Sequence, residues 1–129
     1  MLVFGGAGFI GSNFIRFVLS KYPGIRVVNF DKLTYSGNKD NLQDIEKSPR
    51  HVFIRGDINN RKTIEDVFKK YRPDYVINFA AETHVDRSIH VGALEFIKTN
   101  IEGVFNILEE VKRYQSVKKF VQVSTDEVY

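Results

Sequence analysis

The chain has 129 residues, 43% hydrophobic and 27% charged, with 19 Lys and Arg against 16 Asp and Glu, for a formal net charge of +3. That is enough for one domain with a real core, and it excludes a disordered chain. There is no cysteine, so disulfide and thiolate chemistry are excluded. Basic residues are scattered among acids, no apolar run reaches membrane length, and no secretory signal precedes the first apolar run. We therefore expect no nucleic-acid partner, no membrane partner and a cytoplasmic location.

Leu2, Val3 and Phe4 are too short a run for a helix but suit a buried strand. Glycines follow at 5, 6, 8 and 11. From there Ile10, Phe14, Ile15, Phe17, Val18 and Tyr22 recur at gaps of mostly three and four, a helical stripe ended by Pro23-Gly24. The glycines thus sit at a strand-to-helix turn. They can be read as Gly6-x-Gly8-x-x-Gly11 or as Gly5-x-x-Gly8-x-x-Gly11. A turn of this kind lets the backbone approach a pyrophosphate and offers it free N–H groups at a helix start. No Gly-Lys-Ser/Thr follows, so it is not a nucleoside-triphosphate loop.

A second strand runs from Ile25 to Asp31. Asp31 lies twenty residues past Gly11, where a carboxylate would bind the adenosine ribose hydroxyls of NAD and repel a 2′-phosphate. Lys32 beside it softens that repulsion. Residues 31–38 read as a loop and Lys39 to Ile45 as a short helix. His51 to Ile54 is the third strand, followed by Arg55-Gly56-Asp57. Asn60 can cap a helix whose stripe is Ile64, Val67, Phe68 and Tyr71. Tyr75 to Ala81 is the fourth strand. A long helical pattern runs from about Ile89 to Tyr114 through Leu94, Ile97, Ile101, Val104, Phe105, Leu108 and Val111. Lys119 to Ser124 is the fifth strand. Strands alternating with helices predict an α/β fold, a Rossmann-type parallel sheet in the order 3-2-1-4-5 with helices on both faces and ligands along the carboxyl edge. The chain stops just after the fifth strand, so a partial dinucleotide-binding domain over residues 1–129 is expected.

Candidate chemistry gathers past the strand ends. Past the third strand, Asp57 can accept a hydrogen bond from an adenine amino group with Ile58 against the ring face; a capping Asp and a core Ile remain the alternative. Ala80 and Ala81 are small enough for close ligand approach, and Glu82, Thr83, His84, Asp86 and Arg87 follow. His84 invites a general-base role but reads as well as a loop residue. Thr99-Asn100 interrupts the long helical pattern, to bond a strand, a ribose or solvent. Thr125, Asp126 and Glu127 place a hydroxyl and two acids where substrate would meet a nicotinamide, and they equally suit a helix start. No metal site is expected.

Nearly end to end, the chain resembles the N-terminal part of the dTDP-glucose 4,6-dehydratases, a family of extended short-chain dehydrogenase/reductases. The resemblance lies in Gly5-Gly-Ala-Gly-Phe-Ile-Gly-Ser12, Asp31-Lys-Leu-Thr-Tyr-Ser-Gly-Asn38, Gly56-Asp57-Ile58, Ala80-Ala-Glu-Thr-His-Val-Asp-Arg-Ser-Ile89, Thr99-Asn-Ile-Glu-Gly103 and Ser124-Thr-Asp-Glu-Val-Tyr129. It implies NAD contacts from Gly5, Gly8, Phe9, Ile10, Gly11, Asp31, Lys32, Leu33, Thr34, Asp57, Ile58, Phe79, Ala80, Ala81, Glu82, Thr83 and Thr99. It implies substrate contacts from Thr83 and Thr125. The implied reaction takes hydride from C4 of the hexose to NAD⁺, removes the C5 proton with Glu127, protonates the departing C6 hydroxyl with Asp126, and returns hydride to C6. Related alternatives are a UDP-glucose 4,6-dehydratase or an epimerase. The resemblance further implies homodimers that pair through helices including the long one. Phe4 and Gly92 depart from the Thr and Pro that relatives commonly carry. The family's catalytic Tyr-x-x-x-Lys is expected beyond Tyr129, which would leave the isolated chain an inactive cofactor-binding fragment.

Overall fold

The computed structural model describes residues 1–34, 37–83 and 93–124. His84, Asp86, Arg87, Gly92, Thr125, Asp126 and Glu127 lie outside the described residues.

Strand β1 (Leu2–Phe4) is wholly buried and pairs in parallel with β2 (Val27–Asp31) on one side and β4 (Tyr75–Asn78) on the other. Beyond them lie β3 (His51–Arg55) and β5 (Lys119–Gln122), giving the order β3-β2-β1-β4-β5. The alternating faces of the strands feed two cores. Leu2, Phe4, Val28, Phe30 and Val76 pack with Ile64, Val67 and Phe68 of α2 (Arg61–Tyr71) and with Ile107. Val3, Ala7 and Val27 pack on the opposite face with Ile15, Val18 and Leu19 of α1 (Phe9–Lys21). Apolar side chains on both faces of one strand are what a sheet covered on both sides requires.

The local devices are those of the residues. Asn60 caps α2 by accepting from the Thr63 N–H at 3.2 Å, and the helix ends where Arg72 turns left-handed ahead of Pro73. A short 3₁₀ turn (Lys39–Leu42) is fastened to α1 by Arg16, which pairs with Asp44 at 2.7 Å and donates to the Asn41 carbonyl.

Several expectations are corrected. The fifth strand ends at Gln122 rather than Ser124, and the short helix expected over Lys39 to Ile45 is a 3₁₀ turn over Lys39–Leu42. The second strand begins at Val27 rather than Ile25. The fourth stops at Asn78 rather than Ala81, because the Asn78 Oδ1 accepts from the Ala80 N–H at 3.0 Å and turns the chain. The long helix is not uniform: α3 (Ala93–Ile97) passes through a π-helical segment, Lys98–Gly103, into α4 (Val104–Arg113). Its apolar row largely faces outward, with Leu94 60%, Ile101 64% and Phe105 55% exposed. The inward face carries Gly103, Asn106, Ile107 and Glu110 instead. Close approach decides this. A Cβ on Gly103 would lie 2.5 Å from the Ile58 side chain, and Asn106 Nδ2 donates to the Ile58 carbonyl at 3.1 Å.

Candidate functional site

The site is a groove along the carboxyl edge of β1, β2, β3 and β4, open to solvent on one side. Its floor is the glycine turn. Gly5 has φ +72°, and a Cβ there would stand 2.5 Å from the Ala80 N, so the residue must be glycine on two counts. A Cβ on Gly11 would strike the Gly5 carbonyl, which is how α1 packs so close to the strand it follows. Helix α1 starts at Gly8 with no side chain capping it. Its first N–H groups have no helical partner and remain available to an anion.

Asp31 closes the turn against β2. One carboxylate oxygen accepts from the Ala7 N–H at 2.8 Å and the other from the Leu33 N–H at 2.8 Å. Each oxygen keeps lone pairs for a further donor. Leu33 is held at φ 58°, a left-handed backbone uncommon for a bulky side chain, and packs into the α1-side core rather than lining the groove. Lys32 reaches across to the loop after β3 and meets Asp57 at 2.7 Å. The bond to Asp57 raises the Lys32 pKa above its ordinary value. Burial opposes ionisation of Asp57, but the bonds from Lys32 and the Asn59 N–H outweigh it and hold its carboxyl below the usual range.

The far wall is built from β4 and the long helix. Asn78 Nδ2 donates to Gln122 Oε1 at 2.9 Å, joining the ends of β4 and β5. Phe79 packs on Phe14 of α1, with ring centroids 5.3 Å apart. Ala80, Ala81 and Glu82 then line the groove with Thr99 of the π-helical segment, and Asn100 holds the Glu82 backbone.

Of the residues singled out from sequence, Gly5, Gly8, Asp31, Lys32, Thr34, Asp57, Ile58, Phe79, Ala80, Ala81, Glu82 and Thr99 meet in this groove. Gly11 lies buried beneath it. Phe9 and Ile10 stand exposed on the first turn of α1, and Thr83 is exposed just past Glu82. Phe30, Gly37 and Gly56 also line it and were not singled out. Phe30 reads simply as a core residue. Gly56 announces itself only as part of Gly56-Asp57; its missing Cβ makes room for the Phe30 ring. Among the described residues no group of three His, Asp or Glu side chains is placed to hold a metal ion. Among the described residues no helix is long and apolar enough to cross a membrane.

The Tyr-x-x-x-Lys spacing occurs twice. Tyr35 lies outside the described residues, and its Lys39 pairs with Glu46 at 2.9 Å. Tyr114 packs on Phe68, and Lys118 pairs at 3.1 Å with Asp74 at the amino edge of the sheet, away from the groove.

A glycine turn at the carboxyl end of the central strand, an uncapped helix start, and a carboxylate ending the next strand define a Rossmann-type α/β domain. The profile of the family described as GDP-mannose 4,6 dehydratase matches residues 2–129, and the chain belongs to that family. A dTDP-glucose 4,6-dehydratase of Haemophilus influenzae is 45% identical over 100% of this chain and 40% of its own length. The solved dTDP-glucose 4,6-dehydratase DesIV of Streptomyces venezuelae, with NAD and TYD bound, is 42% identical, matching 99% of this chain and 40% of its own with a TM-score of 0.91. A UDP-glucose 4-epimerase of Thermotoga maritima, solved with UDP-glucose, is 35% identical over 96% of this chain and 37% of its own, with a TM-score of 0.83. The chain thus spans about 40% of the length of the dehydratases it matches.

Proposed function

We propose that the protein carrying this chain is an NAD-dependent hydro-lyase that converts dTDP-glucose to dTDP-4-keto-6-deoxyglucose. Residues 1–129 are its cofactor-binding portion and do not turn over substrate alone. The observation that carries the cofactor reading is Asp31, tied to the Ala7 N–H of the glycine turn at 2.8 Å with its carboxylate facing the groove. The uncapped start of α1 suits a pyrophosphate and Asp31 the adenosine ribose. Asp57 is placed for an adenine amino group, with Ile58 against the ring. The dTDP-sugar reading is supported by dehydratase relatives 42–45% identical to this chain.

When bound, NAD⁺ would supply the hydride acceptor and donor for sugar C4 and C6. The base that takes the C4 hydroxyl proton is the Tyr of the family's Tyr-x-x-x-Lys, expected beyond Tyr129; this chain's residues supply the positioning and the elimination chemistry. The Phe9 and Ile10 turn holds the pyrophosphate, and the Ala80 to Thr83 segment runs along the dinucleotide toward its reacting end. Thr125 hydrogen-bonds the C4 oxygen, Glu127 removes the C5 proton acidified by the ketone, and Asp126 donates a proton to the departing C6 hydroxyl. Thr83 meets the substrate. Division of acid and base work between adjacent carboxyls requires different environments for the two.

The outward apolar row of α3 and α4 supports a homodimer paired through these helices, because exposed Leu94, Ile97, Ile101, Phe105 and Leu108 lie along the row. A cytoplasmic location goes with a nucleotide-sugar substrate.

The test offers dTDP-glucose, UDP-glucose and GDP-mannose in turn to the full-length protein with NAD⁺. Loss of one water from dTDP-glucose without net NADH is expected. The epimerase likeness makes interconversion of UDP-hexoses, without water loss, the competing outcome, and it would replace the dehydratase reading. Glu127→Gln is expected to keep NAD⁺ binding and stop dehydration.

A further inference from the structure

We propose that the Lys32–Asp57 ion pair sets the choice between the two nicotinamide dinucleotides, by withholding a cation from the 2′-position of the adenosine ribose. The inference rests on the dinucleotide reading of the groove.

The position of Lys32 poses the problem. It directly follows Asp31, the carboxylate that suits the ribose hydroxyls, and a cation beside that carboxylate is what a 2′-phosphate needs. Among the described residues lining the groove, Lys32 is the one basic side chain. Left to itself it would offset the repulsion from Asp31. It is not left to itself: its Nζ lies 2.7 Å from Asp57 Oδ2, on the loop after β3.

Asp57 is a fixed acceptor, not a chance partner. Its other oxygen accepts from the Asn59 N–H at 2.9 Å. The same loop is held from the far side by Asn106, which donates to the Ile58 carbonyl at 3.1 Å. The carboxylates of Glu82 and Glu95 also act on the Lys32 ammonium and add to the negative field around it. A half-exposed pair of this kind adds little to folding stability. Its consequence is for charge supply. With Lys32 spent on Asp57, an arriving 2′-phosphate meets the Asp31 carboxylate without compensation. Discrimination against the phosphorylated dinucleotide then depends on a residue 26 positions from Asp31, on the loop that follows another strand.

The experiment is calorimetric titration of NAD⁺ and of NADP⁺ into the full-length protein, stripped of co-purified nucleotide. The variants are Asp57→Asn, Lys32→Met and the double variant. Asp57→Asn keeps the side-chain shape and an acceptor for the Asn59 N–H while freeing the ammonium. It is expected to shift the ratio of affinities toward NADP⁺ by about tenfold, the scale of one charge-assisted hydrogen bond. Adding Lys32→Met is expected to abolish the shift. Lys32→Met alone is expected to change the wild-type ratio by less than about twofold, since the pair already masks the cation. An unmoved ratio in Asp57→Asn, a shift that survives in the double variant, or a large shift in Lys32→Met overturns the proposal. Wild-type protein that binds neither dinucleotide overturns the cofactor reading itself, and this inference with it.

Discussion

Asn100 grips the backbone of Glu82 with both ends of its amide. Its Oδ1 accepts from the Glu82 N–H and its Nδ2 donates to the Glu82 carbonyl, each at 2.9 Å. The π-helical segment Lys98–Gly103 presents the side chain to the loop, and the grip bridges 18 residues of sequence. Glu82 itself lines the groove beside Ala81. Asn100→Ala removes both bonds and frees the wall. The two bonds are worth about 1 kcal/mol each, so we expect a fall in Tm of several degrees and a loss of NAD⁺ affinity of up to about thirtyfold if binding must re-form the wall. Calorimetric titration and thermal melting check it; unchanged affinity would show that the grip does not shape the site.

The packing of α1 on its strand rests on a missing methyl. A Cβ on Gly11 would strike the Gly5 carbonyl and stand 2.8 Å from the Gly6 Cα. Backbone cannot swing aside as a side chain does. Gly11→Ala is therefore expected to destabilise by about 1–3 kcal/mol and to disorder the turn. Gly24→Ala is the control, because nothing lies within 4 Å of a Cβ there. Melting curves of the two variants should separate clearly, and equal curves would refute the packing account.

His51 opens β3 in a buried position, with its Nε2 3.5 Å from the Asn29 amide nitrogen. Burial lowers its pKa below the ordinary value near 6.5. In the unfolded chain the imidazole takes up a proton at higher pH than in the fold, so unfolding is favoured in acid. The stability that His51 allows is fully present above its unfolded pKa and is lost as pH falls below it. We expect the wild-type Tm to drop between pH 7.5 and about 5.5 and His51→Gln to flatten part of that slope. Parallel slopes in the two proteins would locate the acid sensitivity elsewhere.

The outward row offers a direct test of pairing. Ile101 and Phe105 are 64% and 55% exposed, so a charge at either should leave the fold within about 0.5 kcal/mol. Ile101→Glu with Phe105→Glu is expected to convert dimeric full-length protein to monomer, read by sedimentation. A dimer that persists would assign the interface to another surface.

Much of the site was legible along the chain because its chemistry is local. The glycine spacing follows from a strand-to-helix turn that spans a few residues. Asp31 was found by counting, since one helix and one strand separate it from the turn, and their lengths are set by periodicity. The sheet order followed from alternation and the handedness of crossovers. Asn60 as a cap needed only its neighbour three residues on.

What tertiary structure alone decided depends on partners far apart in sequence. Periodicity marks an apolar row on the long helix but not which way the row faces. Gly103 against Ile58 and the Asn106 bond turned it outward, and neither contact has a signature along the chain. Lys32 reads as a free cation beside Asp31 until β3 brings Asp57 to 2.7 Å. Tyr114 and Lys118 have a catalytic spacing and stand at the opposite edge of the sheet from the groove. Charge and spacing are properties of a sequence; whether a charge is spent, or a face covered, is settled by what the fold packs beside it.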